Sequence, residues 1–161
     1  MLGLKENIMN NNFDITIIGG SYAGMTMALA LTTAVPNLKI AIVEKEDIIK
    51  NDKKPHGRGY AISNSSLKLF EEIKIADEVL KKAGTIKDIR ITDYKSSVIL
   101  DFLSKEVEEK NFGALIESYI LHNALRDKIK SNANIILFCK RNYEKINFLE
   151  QQVEVELDNK I

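Results

Sequence analysis

Apolar positions along the chain alternate between short runs and helical stripes. The run Ile15–Ile18 enters a glycine-rich turn, Gly19–Gly24, and an apolar helical stretch follows until Pro36 and Asn37 stop it. This pattern predicts a fully buried strand over Asp14–Ile18 and a helix over Tyr22–Ala34. A second β-branched run, Lys39–Glu44 (KIAIVE), closes a βαβ unit of about 30 residues whose strands are parallel. Residues 45–60 are charged, carry Pro55, Gly57 and Gly59, and read as a long loop. Leu67, Phe70 and Ile73 share one face of a helix over Ser63–Ile73, with Asn64 or Ser65 as its cap. A short helix over Ile75–Ala83 is expected to end at Gly84.

The period then changes. Ile86, Ile89 and Ile91, followed by Val98, Leu100 and Phe102, predict two strands with a turn near Lys95–Ser97. Phe112–Ile116 is a further strand after the charged stretch Lys105–Lys110. Leu121, Leu125 and Ile129 form the apolar stripe of a helix over Tyr119–Lys130. Ile135–Cys139 reads as a buried strand, and Tyr143–Leu149 with Gln151–Leu157 as an antiparallel pair. The fold class is therefore α/β, a Rossmann-like βαβ with a parallel sheet plus antiparallel strands. Residues 1–12 are polar and Asn-rich and are expected to be disordered, which leaves 13–161 as the folded part. A strand near Ile161 with no capping element is expected to mark an incomplete domain.

Composition narrows the function classes. Apolar residues make up 45% and charged residues 29% of 161, as in ordinary globular chains. Acidic and basic residues number 23 each, so no basic surplus points to nucleic acid. Cys139, the single cysteine, cannot form an internal disulfide and is expected to be a buried core thiol. One cysteine and two distant histidines, His56 and His122, do not make a zinc site. Residues 15–35 lack charge over a length that could span a bilayer. Glycines break the middle of that stretch, and Glu6 and Asp14 precede it where a signal peptide wants positive charge, so no span is expected.

Candidate chemistry centres on the turn. In the dinucleotide fingerprint G-x-G-x-x-G, Gly19 takes the first position and Gly24 the third, with Ser21 at the second. The Ser21 hydroxyl can donate to a phosphate oxygen or cap the helix. Glu44 ends strand two, where a carboxylate accepts ribose hydroxyls and disfavours a 2′-phosphate. The alternative is a buried strand–turn–helix with no ligand. Arg58, between two glycines, can reach a phosphate or flavin ring, or be a solvated loop charge like His56. The acidic pairs Glu71–Glu72 and Glu108–Glu109 read as exposed charges, and no Ser-His-Asp or paired-carboxylate arrangement is present.

Four stretches together resemble the FAD-dependent aromatic monooxygenases, most closely their ubiquinone-biosynthesis hydroxylase branch. These are FDITIIGGSYAGMTMALAL, IVEK, GRGYAISNSSLKLFEEIKI and FGALIESYILHNAL. Their order and spacing cover about residues 13–130, and they are similar to the family's FAD-binding opening, its strand-two acid, its R-x-x-A-[LI]-x-x-x-S segment and its G-x-x-[VI]-E-N-x-x-L-x-x-A-L segment. The resemblance implies a cofactor-binding set of Gly19, Gly20, Ser21, Ala23, Gly24, Glu44, Lys45, Arg58 and Ser118. Ser118 stands where the family usually carries Asn or Gln, and Tyr119 replaces a frequent Arg. The family's A-D-G-x-x-S and G-D-A-A-H-x-x-x-P segments do not occur, so the chain reads as an N-terminal part without the substrate domain. The implied activity of the full-length protein is hydroxylation of a polyprenylated aromatic ring, with FAD as cofactor and NAD(P)H as electron donor. A C-terminal companion polypeptide is an implied partner, and the localisation implied is cytoplasmic with peripheral contact at the inner membrane. Two other readings stay open: another FAD- or NAD-dependent oxidoreductase, and a non-catalytic remnant. The chain alone is not expected to hold FAD tightly.

Overall fold

A computed structural model describes residues 12–49, 57–93, 99–108 and 110–158. The expected disordered N-terminus (Asn12 excepted), His56, the Lys95–Ser97 turn, Val98, Glu109 and Ile161 lie outside the described residues. The chain opens as the sequence pattern predicts. β1 (Ile15–Ile18) leads into α1 (Tyr22–Ala34), which returns the chain to β2 (Ile40–Glu44). β1 and β2 pair in parallel from Ile15 opposite Ile40 to Ile18 opposite Val43. β8 (Ile135–Cys139) pairs in parallel on the other side of β2, giving the sheet order β1-β2-β8.

This order corrects the expectation that the first strand is fully buried. All five β2 residues are buried, whereas exposure alternates along β1. Ile15 and Ile17 pack on the core while Ile18 is 43% exposed. Side chains stand off the two faces of the sheet, and those of a central strand are shaded by neighbours on both sides as well as by what packs on each face. β1 has one pairing neighbour among the described residues. Cys139 is likewise half-buried rather than a core residue, because β8, like β1, pairs only with β2 among the described residues.

A second sheet has the order β3-β7-β4, all antiparallel, from β3 (Gly59–Ser63), β4 (Gly84–Ile86) and β7 (Gly113–Glu117). The sequence pattern placed Gly59 and Tyr60 of β3 in the 45–60 loop and Ser63 in the following helix. No turn residue separates β3 from the next helix, because Ser63 ends the strand and caps α2 (Asn64–Glu72). The cap is therefore Ser63, which accepts from Ser66 N–H at 3.4 Å, and not Asn64 or Ser65. Asn64 instead donates to the Asn111 carbonyl at 2.6 Å. α3 (Ala76–Leu80) is shorter than expected, and Gly84 opens β4 rather than closing the helix.

β5 (Asp88–Thr92) and β6 (Ile99–Leu103) form the expected pair of strands, antiparallel, but Ile86 belongs to β4, where it pairs with Gly113, and not to the first strand of this pair; a 3-10 turn follows at Ser104–Val107. α4 (Ser118–Lys130) buries the predicted Leu121, Leu125 and Ile129. β9 (Tyr143–Phe148) and β10 (Val153–Leu157) pair antiparallel, as their patterning predicts. The core joins Met25, Ala28 and Leu29 of α1 to Ile40 and Ile42 of β2, Ile116 of β7, and the stripe of α4. Phe70, Ile73 and Val79 extend it under the second sheet. None of the described helices is long and apolar enough to cross a membrane.

Candidate functional site

β1 and β2 end side by side, and the predicted site residues gather there. Gly19 N–H bonds the Val43 carbonyl at 2.8 Å, which carries the strand pairing one step past β1. The backbone then turns at Gly19 with φ +107°, a conformation that glycine adopts without strain. Gly20 N–H donates to Glu44 Oε2 at 2.7 Å, and Glu46 N–H donates to Glu44 Oε1 at 2.9 Å. Both oxygens of a buried carboxylate are thus pinned by main-chain donors, with lone pairs remaining for other donors. Gly20 makes this approach possible. A Cβ there would lie 2.7 Å from Ile48 Cδ1 and 3.0 Å from Glu44 Cβ. At Gly24 a Cβ would fall on the Gly19 carbonyl oxygen, so the turn and the first helical turn pack with no room for a side chain.

Ser21 is the residue before α1, with extended backbone, and its side chain makes no capping hydrogen bond among the described residues. Of its two predicted uses, the hydroxyl does not serve the second. Met25 N–H bonds Ser21 O at 2.9 Å and begins the helical ladder. The N–H groups of Tyr22, Ala23 and Gly24 precede that ladder and face the turn together with the positive end of the helix dipole. Such an end suits an anion. Lys45 follows Glu44 and is exposed.

Arg58 and Ser118 come from distant segments and meet. Ser118 N–H bonds the Arg58 carbonyl at 2.9 Å, tying the start of β3 to the start of α4. Ser118 is buried and Arg58 is exposed. Tyr22 O–H donates to the Ser118 carbonyl at 3.3 Å, a long hydrogen bond, and so links α1 to the same point. The Tyr22 ring stands edge-on to Tyr60 at 5.0 Å and to His122 at 5.9 Å. Burial pushes the Tyr22 phenol above its ordinary value and Tyr60 adds to this, while Ser118 and the Arg58 charge oppose it.

The structure therefore brings Gly19, Gly20, Ser21, Ala23, Gly24 and Glu44 to one turn, with Arg58 and Ser118 joined beside it through Tyr22. The aromatic set Tyr22, Tyr60 and His122 was not foreseen. Its members stand inside three of the four motif stretches, but only the packing of α1, β3 and α4 places them together. An apolar groove lined by Ala23, Thr26, Met27 and Ala30 of α1 with Ile62 and Leu69 runs from this cluster.

No family model matches the chain. The mitochondrial ubiquinone-biosynthesis monooxygenase COQ6 of Dictyostelium discoideum is 26% identical over 157 residues, covering 89% of this chain and 31% of that protein. The chain thus spans about a third of this relative's length. Among solved structures, PqsL, a probable FAD-dependent monooxygenase from Pseudomonas aeruginosa, superposes with a TM-score of 0.71 at 16% identity, over 92% of this chain and 39% of its own. The flavin-dependent monooxygenase PieE, solved with FAD and substrate, gives 0.70 at 15% identity, over 92% and 27%. At these identities the structural likeness is one of fold. In sequence and in fold, the chain is similar to one part of the FAD-dependent aromatic monooxygenases.

Proposed function

We propose that this chain provides the adenine-dinucleotide half of an FAD site, and that the whole protein hydroxylates a polyprenylated aromatic ring on the way to ubiquinone. The observation that carries the first part is the glycine turn. Gly20 and Gly24 let the turn pack directly on Glu44, Ile48 and the Gly19 carbonyl, and the amides of Tyr22–Gly24, which precede the helical ladder of α1, form the kind of helix start that suits a pyrophosphate. The residues fit the group. The turn amides and the Ser21 hydroxyl would hold the pyrophosphate, and the free lone pairs of Glu44 would accept the ribose hydroxyls. Lys45 and Arg58 would add positive charge, and Ser118 would stand by the arginine. When bound, the flavin supplies the oxygen chemistry: NAD(P)H gives two electrons, one atom of O2 enters the ring and the other leaves as water. This chain's residues bind and orient, and none of them is assigned a proton-transfer role.

The ubiquinone-pathway specificity rests on the Dictyostelium relative, and it favours a very hydrophobic quinone precursor as substrate. Such a substrate brings peripheral membrane contact with it. A companion polypeptide that completes the substrate side is supported by the hairpin β5–β6. There Ile89, Ile91, Leu100 and Phe102 share one face and are 41%, 52%, 50% and 44% exposed.

Calorimetric titration with FAD, repeated in the presence of ADP, tests the central reading. Reversible FAD binding that ADP displaces, weakened about tenfold or more by Glu44→Ala, is expected from the loss of a buried acceptor. No FAD binding, or binding indifferent to ADP and to Glu44→Ala, overturns it.

A further inference from the structure

We propose that Tyr22 is a positioning residue that clamps the glycine turn to the Arg58–Ser118 junction, so that phosphate-binding turn and arginine act as one unit. This rests on the reading of the turn as a dinucleotide site. Tyr22 is the first residue of α1 and so moves with the amides of the turn. Its hydroxyl bonds the Ser118 carbonyl at 3.3 Å, and the N–H of the same residue bonds the Arg58 carbonyl at 2.9 Å. Ser118 is therefore gripped from both sides of its own main chain, by α1 and by β3. The hydrogen bond alone is long, and the ring contributes more. Tyr60, two residues beyond Arg58, pairs with Ile116 in β7 and presents its ring edge to Tyr22 at 5.0 Å. His122, one turn along α4 from Ser118, lies at 5.9 Å. Tyr22 thus touches both elements that carry the arginine junction.

An aliphatic residue without the ring would leave the turn and the fold intact and uncouple Arg58 from them. The cost would appear in ligand affinity and in local opening, not in global stability. The phenol's upward shift by burial agrees with a ring partly covered by these elements.

Tyr22→Leu and Tyr22→Phe in the full chain separate the ring from the hydroxyl. Two measurements are made on each: FAD affinity by titration, and amide hydrogen exchange at Ser118 against Ile42 and Val43 of the central strand. Tyr22→Leu is expected to weaken FAD about tenfold and to speed Ser118 exchange, with Ile42 and Val43 unchanged. Tyr22→Phe, which keeps the ring, is expected to restore most of both. Wild-type affinity in Tyr22→Leu overturns the clamp. So does Ser118 exchange that rises only in step with Ile42 and Val43, or a Tyr22→Phe chain that behaves like Tyr22→Leu. If the wild-type chain binds no FAD, the dinucleotide reading fails by itself, and Ser118 exchange still decides the clamp.

Discussion

Gly19 and Gly24 belong to one fingerprint for different physical reasons, and their substitution separates the two. Gly19 has open space around it and a positive φ, so alanine there meets backbone strain of about 1–3 kcal/mol. At Gly24 the added carbon has nowhere to go but the Gly19 carbonyl, which forces turn and helix apart. Gly24→Ala is therefore expected to cost about 3–5 kcal/mol, among the largest single-residue effects. Urea denaturation of the two variants checks the order, and a costlier Gly19→Ala contradicts it. Glu44 makes a related case. Glutamine keeps its size but can oppose only one of the two N–H donors of Gly20 and Glu46 with an oxygen. The other donor meets an amide NH2, so Glu44→Gln is expected to destabilise the chain by about 1–3 kcal/mol in the same assay. Tyr22 sets a pH dependence. Its phenol is held above the ordinary 10.0, so the unfolded chain releases this proton first as pH rises. Across that window the folded chain binds more protons, and stability falls with pH. The melting temperature is expected to drop less steeply above pH 10.0 in Tyr22→Phe than in wild type, and parallel curves would remove Tyr22 as the cause.

Elements whose apolar period is long enough to speak for itself were legible in the sequence. α1, β2, α4 and β8 lie within a residue of their expected limits, because each carries a continuous apolar run or an apolar helical stripe. β3 was not legible. Five residues with a glycine at one end, flowing straight into a helix, carry no boundary for a period to mark. The edge position of β1 was hidden for another reason, since pairing partners are chosen by the whole sheet and a run of isoleucines reads alike in the centre or at the rim. The site was half legible. Fingerprint glycines and the strand-end glutamate are local in sequence, whereas the junction of Tyr22 with Ser118 depends on how α1 crosses α4. The same contrast governs energetics. Leu125, fully buried at the crossing of α4 with the core, is expected to cost about 2–5 kcal/mol on change to alanine. Arg90 and Asp101 form an ion pair at 2.7 Å on β5 and β6, yet it faces water. Asp101→Asn is expected to leave the thermal midpoint unchanged. Equal losses in the two variants would show that the hairpin is as tightly built as the core.

Seen whole, the chain pairs a well-buried centre with two hairpins that keep apolar side chains in water. On β5–β6 the cross-strand neighbours Ile89–Phe102 and Ile91–Leu100 build an apolar face, with the Arg90–Asp101 pair on the opposite one. On β9–β10, Phe148 is 81% exposed and Val153 53%. The relative that this chain resembles is about three times longer, since the match spans 31% of it. Here nothing among the described residues covers these faces, and the formal net charge is zero, so long-range repulsion does not keep copies apart. The chain alone is therefore expected to self-associate as its concentration rises. Light scattering after size exclusion measures this directly. Ile91→Lys with Phe102→Lys places two like charges on the β5–β6 face without touching the core or the glycine turn. That double variant is expected to stay monomeric where wild type does not, and to bind FAD as wild type does. Association that persists undiminished in the double variant would move the sticky surface elsewhere, with the β9–β10 hairpin and Phe148 next to be charged.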